Sequence, residues 1–174
     1  MRVSFITLRP KYNSYGLFSI APLGVVYLAT ILRDKGYEVK VYDEDRSNIY
    51  ADKTGNPAPE IMYSDVIGIS VISPTANKAY TMLKDIKKSY PHIRTIAGGP
   101  HVLGKKQAEK FSQYADVVVQ KEAEHIIEEV ISGKRKGIIE GSLIEDLDAL
   151  PIPDFQLIDY SKKRYLDFFK LTPI

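Results

Sequence analysis

The chain contains no cysteine. That excludes disulfides, a thiolate nucleophile and any cysteine-held metal or iron–sulfur cluster within these residues. Histidine is scarce: His92, His101 and His125 are scattered and show no metal-ligand spacing. No apolar run approaches the roughly 20 residues of a membrane span. No signal peptide precedes the first strand-like run, so the expected location is cytoplasmic. Strong charge of either sign is also missing. A net charge of +2 points to no strong partner of either sign, and no nucleic-acid partner is expected. The basic run Gly133-Lys-Arg-Lys-Gly137 lies between two glycines and reads as a solvated turn. Internal repeats and low-complexity tracts are absent.

What remains is an ordinary globular composition, 44% hydrophobic and 26% charged over 174 residues. That length suits one domain with a real core and an appendage. Arg2–Leu8 is apolar and β-branched, too short for a helix, and reads as a buried parallel strand. After a long polar and aromatic loop, Arg9 to Ala21, Pro22 opens a helix that carries Leu23, Val26, Tyr27, Ala29, Thr30 and Leu32 to a terminal Gly36. Tyr37–Tyr42 is the second strand, ending at Asp43. Residues 44–60, with Gly55, Pro57 and Pro59, read as a surface excursion.

Asp65–Val71 is apolar on both faces and therefore a central strand. Thr75 or Asn77 is placed to cap a helix that Pro91 stops after Tyr90. Arg94–Ala97 is the fourth strand, followed by a helix near Lys105–Gln113. Asp116–Val119 is the fifth strand. Glu122–Ser132 reads as a helix that takes in His125 and ends at Gly133, and Gly137–Glu140 as a short edge strand. Strands alternating with helices at this spacing predict an α/β fold, a flavodoxin-like doubly wound parallel sheet. Its expected strand order is 2-1-3-4-5, with a crevice between the first and third strands.

Ligands of such sheets bind at the C-terminal edge of the strands. The residues expected there are Leu8 and Arg9 after the first strand, and Ser70, Ser73, Pro74 and Thr75 after the third. Gly98, Gly99, Pro100 and His101 follow the fourth, and Glu122 and Glu124 the fifth. Two glycines allow either a tight turn or close approach of a ligand to bare backbone. The hydroxyls of Ser70, Ser73 and Thr75 suit either turn capping or donation to a polar ligand. His101 reads as a hydrogen-bonding residue, and Glu122 and Glu124 as stabilisers of a helix N-terminus or as ligand contacts. No catalytic residue and no metal ligand is assigned. The turn Thr7-Leu-Arg-Pro-Lys11 lacks the glycines that cradle a pyrophosphate, which argues against a nucleotide-binding enzyme. It also lacks the carboxylates of a phospho-receiver.

Five stretches in order carry a resemblance: Ala21-Pro-Leu-Gly-Val-Val-Tyr-Leu-Ala29, Asp65-Val-Ile-Gly-Ile-Ser-Val-Ile-Ser-Pro-Thr75, Gly98-Gly-Pro-His101, Ala115-Asp-Val-Val-Val119 and Leu147-Asp-Ala-Leu-Pro-Ile-Pro-Asp154. With them the chain resembles the N-terminal cobalamin-binding domain of cobalamin-dependent radical S-adenosylmethionine enzymes, among them those like the anaerobic magnesium-protoporphyrin IX monomethyl ester cyclase. The resemblance implies a corrin on the C-terminal sheet edge, bound base-off, with its nucleotide tail between the Ser70–Thr75 and Gly98–Pro100 turns. The Arg9–Ala21 loop would lie near the lower face of the ring.

The resemblance further implies a domain at residues 1–140. A linker, 141–174, would lead to a barrel that holds S-adenosylmethionine and a [4Fe-4S] cluster. This chain would then be the first domain alone, with its own barrel as partner and a small-molecule substrate bound between them, in a methyltransferase or a cyclase acting on a tetrapyrrole. The domain would not be catalytic alone. An alternative is a cap domain that binds no cobalamin. Two features depart from the family pattern. No Asp-x-His-x-x-Gly follows the first strand, so no protein ligand to cobalt is assigned. The turn that is typically Gly-Glu-Gly-Glu is here Lys121-Glu-Ala-Glu124.

Overall fold

The structure is a computed structural model that describes residues 1–10, 21–52, 55 and 57–161. The strands are β1 (Arg2–Thr7), β2 (Glu38–Asp43), β3 (Val66–Ser70), β4 (Arg94–Gly98), β5 (Val117–Gln120) and β6 (Gly137–Glu140). They form one six-stranded sheet in the order 2-1-3-4-5-6, every pairing parallel. The expected order holds, and the short edge strand extends it by one. The helices are α1 (Leu23–Asp34), α2 (Pro59–Met62), α3 (Ala76–Ser89), α4 (Lys105–Phe111) and α5 (Ile127–Ile131).

Side chains alternate across a strand, so each strand feeds two cores. On one face Val3, Phe5, Val41, Ile96 and Val119 meet Val26, Ala29 and Leu32 of α1 and Ile127, Val130 and Ile131 of α5. On the other, Ile6, Ile67, Ile69 and Val118 meet α2, α3 and α4 through Ile61, Leu83, Ile86 and Phe111. Gly68, in register with Phe5, leaves space that the Phe5 ring occupies: a Cβ there would lie 2.7 Å from the ring.

Three local expectations are corrected. Helix α5 begins at Ile127, not at Glu122, so His125 lies in the turn before it. Neither Thr75 nor Asn77 caps α3 with its side chain, because a 3₁₀ turn, Ser73–Thr75, leads directly into the helix. Residues 44–60 are not simply a surface excursion: Ser47, Ile49 and Ala58 are buried, and Tyr50 bridges to Pro57.

The segment after β6 is extended, with 3₁₀ turns at Leu147–Ala149 and Phe155–Leu157. It is stitched down at its end. Asp154 accepts from Arg33, and its amide donates to Thr30 Oγ1 at 2.9 Å. Ile158 is buried and bridges in parallel to Val41, and the Asp159 amide donates to Val41 O at 2.8 Å. These residues cover the edge of β2, which would otherwise offer unpaired backbone groups. Residues 162–174 of the expected linker, and positions 11–20 in the Arg9–Ala21 loop, lie outside the described residues.

Candidate functional site

At the C-terminal rim of the sheet Thr7 is in register with Ser70, and Ser70 with Gly98. Register partners in adjacent strands project to the same face. One pleat deeper, Phe5, Gly68 and Ile96 form the same row, and Phe5 and Ile96 belong to the core under α1 and α5. Thr7, Ser70 and Gly98 therefore open toward the α1/α5 face. Two small hydroxyl side chains and a bare backbone make a shallow trough across three strands. A Cβ on Gly98 would meet nothing nearer than Val119 O, at 3.8 Å.

The neighbouring Gly99 is different. It holds φ +97°, and a Cβ would sit 2.9 Å from both the nitrogen and the oxygen of Val71. The Val71 amide donates to Gly98 O at 2.7 Å, and the His101 amide to Val71 O at 3.0 Å. The turns after β3 and β4 are thus laced together by backbone, and Gly99 is what lets them close. Thr75 is buried, with its hydroxyl donating to Ile72 O at 3.1 Å and accepting from Ile72 N at 3.4 Å.

Ser73 and His101 meet through Oγ and Nδ1 at 3.1 Å, and the His101 ring packs edge-on against Phe111. With Pro74, Asn77, Tyr80 and Lys110 they line a depression of about 380 Å³ beside α3 and α4. Pro100 is exposed at the start of the turn after β4. The expected site residues therefore divide: Ser70 and Gly98 open on the α1/α5 face, whereas Ser73, Pro74 and His101 line the α3/α4 side.

After β1, Leu8 is buried in the α3/α4 core. The Arg9 amide donates to Glu44 Oε2 at 2.6 Å, and its guanidinium lies 3.3 Å from Asp45. Glu44 also pairs with Lys78 of α3, whose ammonium lies 5.4 Å from the centre of the Tyr50 ring. Burial, reinforced by Glu44, raises the Tyr50 hydroxyl well above its ordinary range. This network ties the ends of β1 and β2 to α3. No part of it was apparent from the spacing of its residues.

The turn after β5 is held from within. Lys121 adopts φ +62°, a conformation unusual for a side chain this long, and pairs with Glu140. Glu122 accepts from the Ile144 amide. Gly141 packs so tightly on Glu122 O that no Cβ fits, and its amide donates to Gln120 O at 2.9 Å. Gln120 Nε2, also missed by the sequence reading, donates to Val102 O at 2.8 Å and Leu103 O at 2.9 Å, tying this turn's strand to the β4 turn.

Ala123 enters the α1/α5 core. Glu124 Oε2 is buried and, alone among the buried side-chain nitrogens and oxygens of the described residues, has no hydrogen-bond partner. Among the described residues no group of three or more histidines, aspartates or glutamates is placed to hold a metal ion. Among them, too, no helix is long and apolar enough to cross a membrane.

Residues 17–131 match the family described as B12 binding domain. An uncharacterized methyltransferase, PH0819 of Pyrococcus horikoshii, is 27% identical over 164 residues, which cover 81% of this chain and 35% of that protein. The anaerobic magnesium-protoporphyrin IX monomethyl ester cyclase of Rubrivivax gelatinosus is 26% identical over 202 residues, covering 100% of this chain and 36% of the cyclase. The chain thus spans about a third of the length of these relatives. Among solved structures, the radical S-adenosylmethionine methyltransferase TsrM of Kitasatospora setae, with cobalamin and a [4Fe-4S] cluster bound, shares the fold. Its TM-score is 0.54 at 17% identity, over 76% of this chain and 25% of TsrM. The same enzyme with tryptophan and a S-adenosylmethionine analogue gives a TM-score of 0.56 at 18% identity, over 76% of this chain and 26% of TsrM.

Proposed function

Because this chain belongs to the B12-binding domain family, we propose that it binds cobalamin base-off at the C-terminal rim of its sheet, with the nucleotide tail in the trough of Thr7, Ser70 and Gly98. The observation that carries this reading is that trough. Three adjacent strands end together in the smallest side chains of the rim, on the face that α1 and the β5 turn enclose. Two further features suit a corrin cofactor. A Cβ on Gly98 would meet protein only at ordinary van der Waals distance, 3.8 Å from Val119 O, and a buried acceptor, Glu124 Oε2, lacks a donor among the described residues. Thr7 and Ser70 would orient the tail through their hydroxyls, and α1 would exclude water from it.

When bound, cobalamin supplies a cobalt centre for methyl or electron transfer, chemistry that belongs to the cofactor. The domain's task is to hold and shield it. The larger setting of this proposal is the one the resemblance implies, a radical S-adenosylmethionine enzyme whose barrel would carry S-adenosylmethionine and a [4Fe-4S] cluster. TsrM, which shares the fold, is a radical S-adenosylmethionine methyltransferase with cobalamin and a [4Fe-4S] cluster bound. Its reaction would be methyl transfer or anaerobic cyclisation of a tetrapyrrole, and residues 141–174 would lead toward that barrel. Ser73, Pro74 and His101 would then face away from the tail, and Gly99 and Thr75 would shape the turns without touching it.

A second reading is a cap that holds no corrin. The turn of Lys121 and Glu122 favours it, since Glu140, Ile144 and Gly141 hold that turn without a ligand. The deciding experiment is titration of the purified chain with hydroxocobalamin, followed in the visible spectrum and by gel filtration. A one-to-one complex with a base-off spectrum supports the first reading. A chain that elutes free of corrin supports the second.

A further inference from the structure

The two glutamates of the β5 turn are equivalent in the sequence but not in the structure. Glu122 is engaged by the Ile144 amide. Glu124 Oε2 is shut away from solvent with no donor among the described residues. A buried acceptor left unmade costs the desolvation of that oxygen, and native proteins rarely tolerate one without a reason. The residue before it, Ala123, is packed into the α1/α5 core, and α5 does not start until Ile127. Glu124 thus belongs to the turn that joins β5 to α5, next to a residue of the core on the face where Thr7, Ser70 and Gly98 open.

Resting on the cobalamin reading, we infer that Glu124 is the residue of this turn that receives a neutral hydrogen-bond donor from the bound cofactor, and that Glu122 has a purely structural task. Cobalamin offers such donors in two places, the amide N–H groups around the corrin ring and the ribose hydroxyl of the nucleotide tail. Either would satisfy the orphan oxygen. The arrangement stores a local cost in the ligand-free domain that binding removes, so stability and affinity should move in opposite directions when the carboxylate is deleted.

The test uses the full chain and two corrins, hydroxocobalamin and dicyanocobinamide, which lacks the nucleotide tail. Glu124→Ala is expected to bind hydroxocobalamin roughly ten- to a hundredfold more weakly, the effect of losing a hydrogen bond to a charged group. Its ligand-free melting temperature should be unchanged or raised. Glu124→Gln, which keeps an acceptor oxygen, should recover part of the affinity. Equal weakening toward cobinamide assigns the donor to the ring amides, and weakening toward cobalamin alone assigns it to the tail. Unchanged corrin affinity in Glu124→Ala overturns the inference while leaving the cobalamin reading intact. So does a clear fall in its ligand-free melting temperature, which would make Glu124 a structural residue. Failure of the unsubstituted chain to bind either corrin overturns the reading and the inference together.

Discussion

Gly99 and Val71 are packed backbone against backbone, with room for a Cβ on Gly99 closed off 2.9 Å from both the amide nitrogen and the carbonyl oxygen of Val71. Next to it, Gly98 meets nothing closer than 3.8 Å. Two adjacent glycines therefore do different work, one in folding and one in the trough.

Gly99→Ala combines an unfavourable left-handed backbone with a backbone clash. It should destabilise the domain by about 2–4 kcal/mol, given that each of these terms is of order 1–2 kcal/mol. Urea unfolding read by far-UV circular dichroism checks this. A variant as stable as the parent would show that the two turns separate without cost.

Gly98→Val should behave in the opposite way. Stability should change by less than about 1 kcal/mol, since the added Cβ meets only an ordinary van der Waals contact. Hydroxocobalamin affinity should drop at least tenfold, because the added side chain stands where the tail is proposed to lie. Ser70→Leu should do the same from the next strand. Parallel titration and melting of both variants separates loss of binding from loss of fold.

The base of the sheet carries an acid-sensitive clamp. Asp116 receives Lys87 Nζ at 2.6 Å, the Thr95 amide at 2.9 Å and Thr95 Oγ1 at 3.1 Å. Burial pushes its carboxyl up, but the bonds from Lys87 and Thr95 outweigh burial and hold it below the usual range. A depressed folded pKa stabilises above the unfolded value, about 3.9, and that contribution is lost as pH falls through the folded value. Stability should thus decline below about pH 4, and Asp116→Asn should flatten the decline. Urea midpoints at pH 6 and pH 3 for both proteins measure the difference.

The C-terminal strap should release as a unit. Ile158 is 3% exposed and joins Val41 at the β2 edge, with Lys40 beside Asp159 at 3.0 Å. Removing most of a buried isoleucine costs about 2–5 kcal/mol in a core that cannot collapse. Ile158→Ala should therefore raise amide exchange over residues 154–161 and β2 well before β3 and β4 respond. Uniform exchange across the sheet would mean that the strap contributes nothing separable.

Much of the architecture was legible beforehand because buried parallel strands announce themselves. Asp65–Val71 is apolar on both faces, and the structure places β3 in the middle of the sheet. The start of α5 was not legible. Glu122-Ala-Glu-His125 has helical composition, yet Glu122 takes the Ile144 amide and Lys121 turns left-handed before the helix can begin. Propensity yields to such tertiary bonds. The burial of Ile49 within a polar stretch was hidden for a similar reason, since its neighbours are contributed by distant elements.

The candidate site divides along the same line. Period-two alternation, β-branched runs and glycine or proline stops belong to the local chain, and they settled the α/β class and the strand sequence and pointed to the edge at which a ligand is proposed to bind. Which face each rim residue opens on depends on register between strands that are far apart in the chain. Only the assembled sheet put Thr7, Ser70 and Gly98 in one row and sent Ser73 and His101 to the other side. Which glycine closes a turn, and which glutamate oxygen lacks a partner among the described residues, likewise depends on backbone brought close from elsewhere in the fold. Such contacts carry no signature in the order of residues.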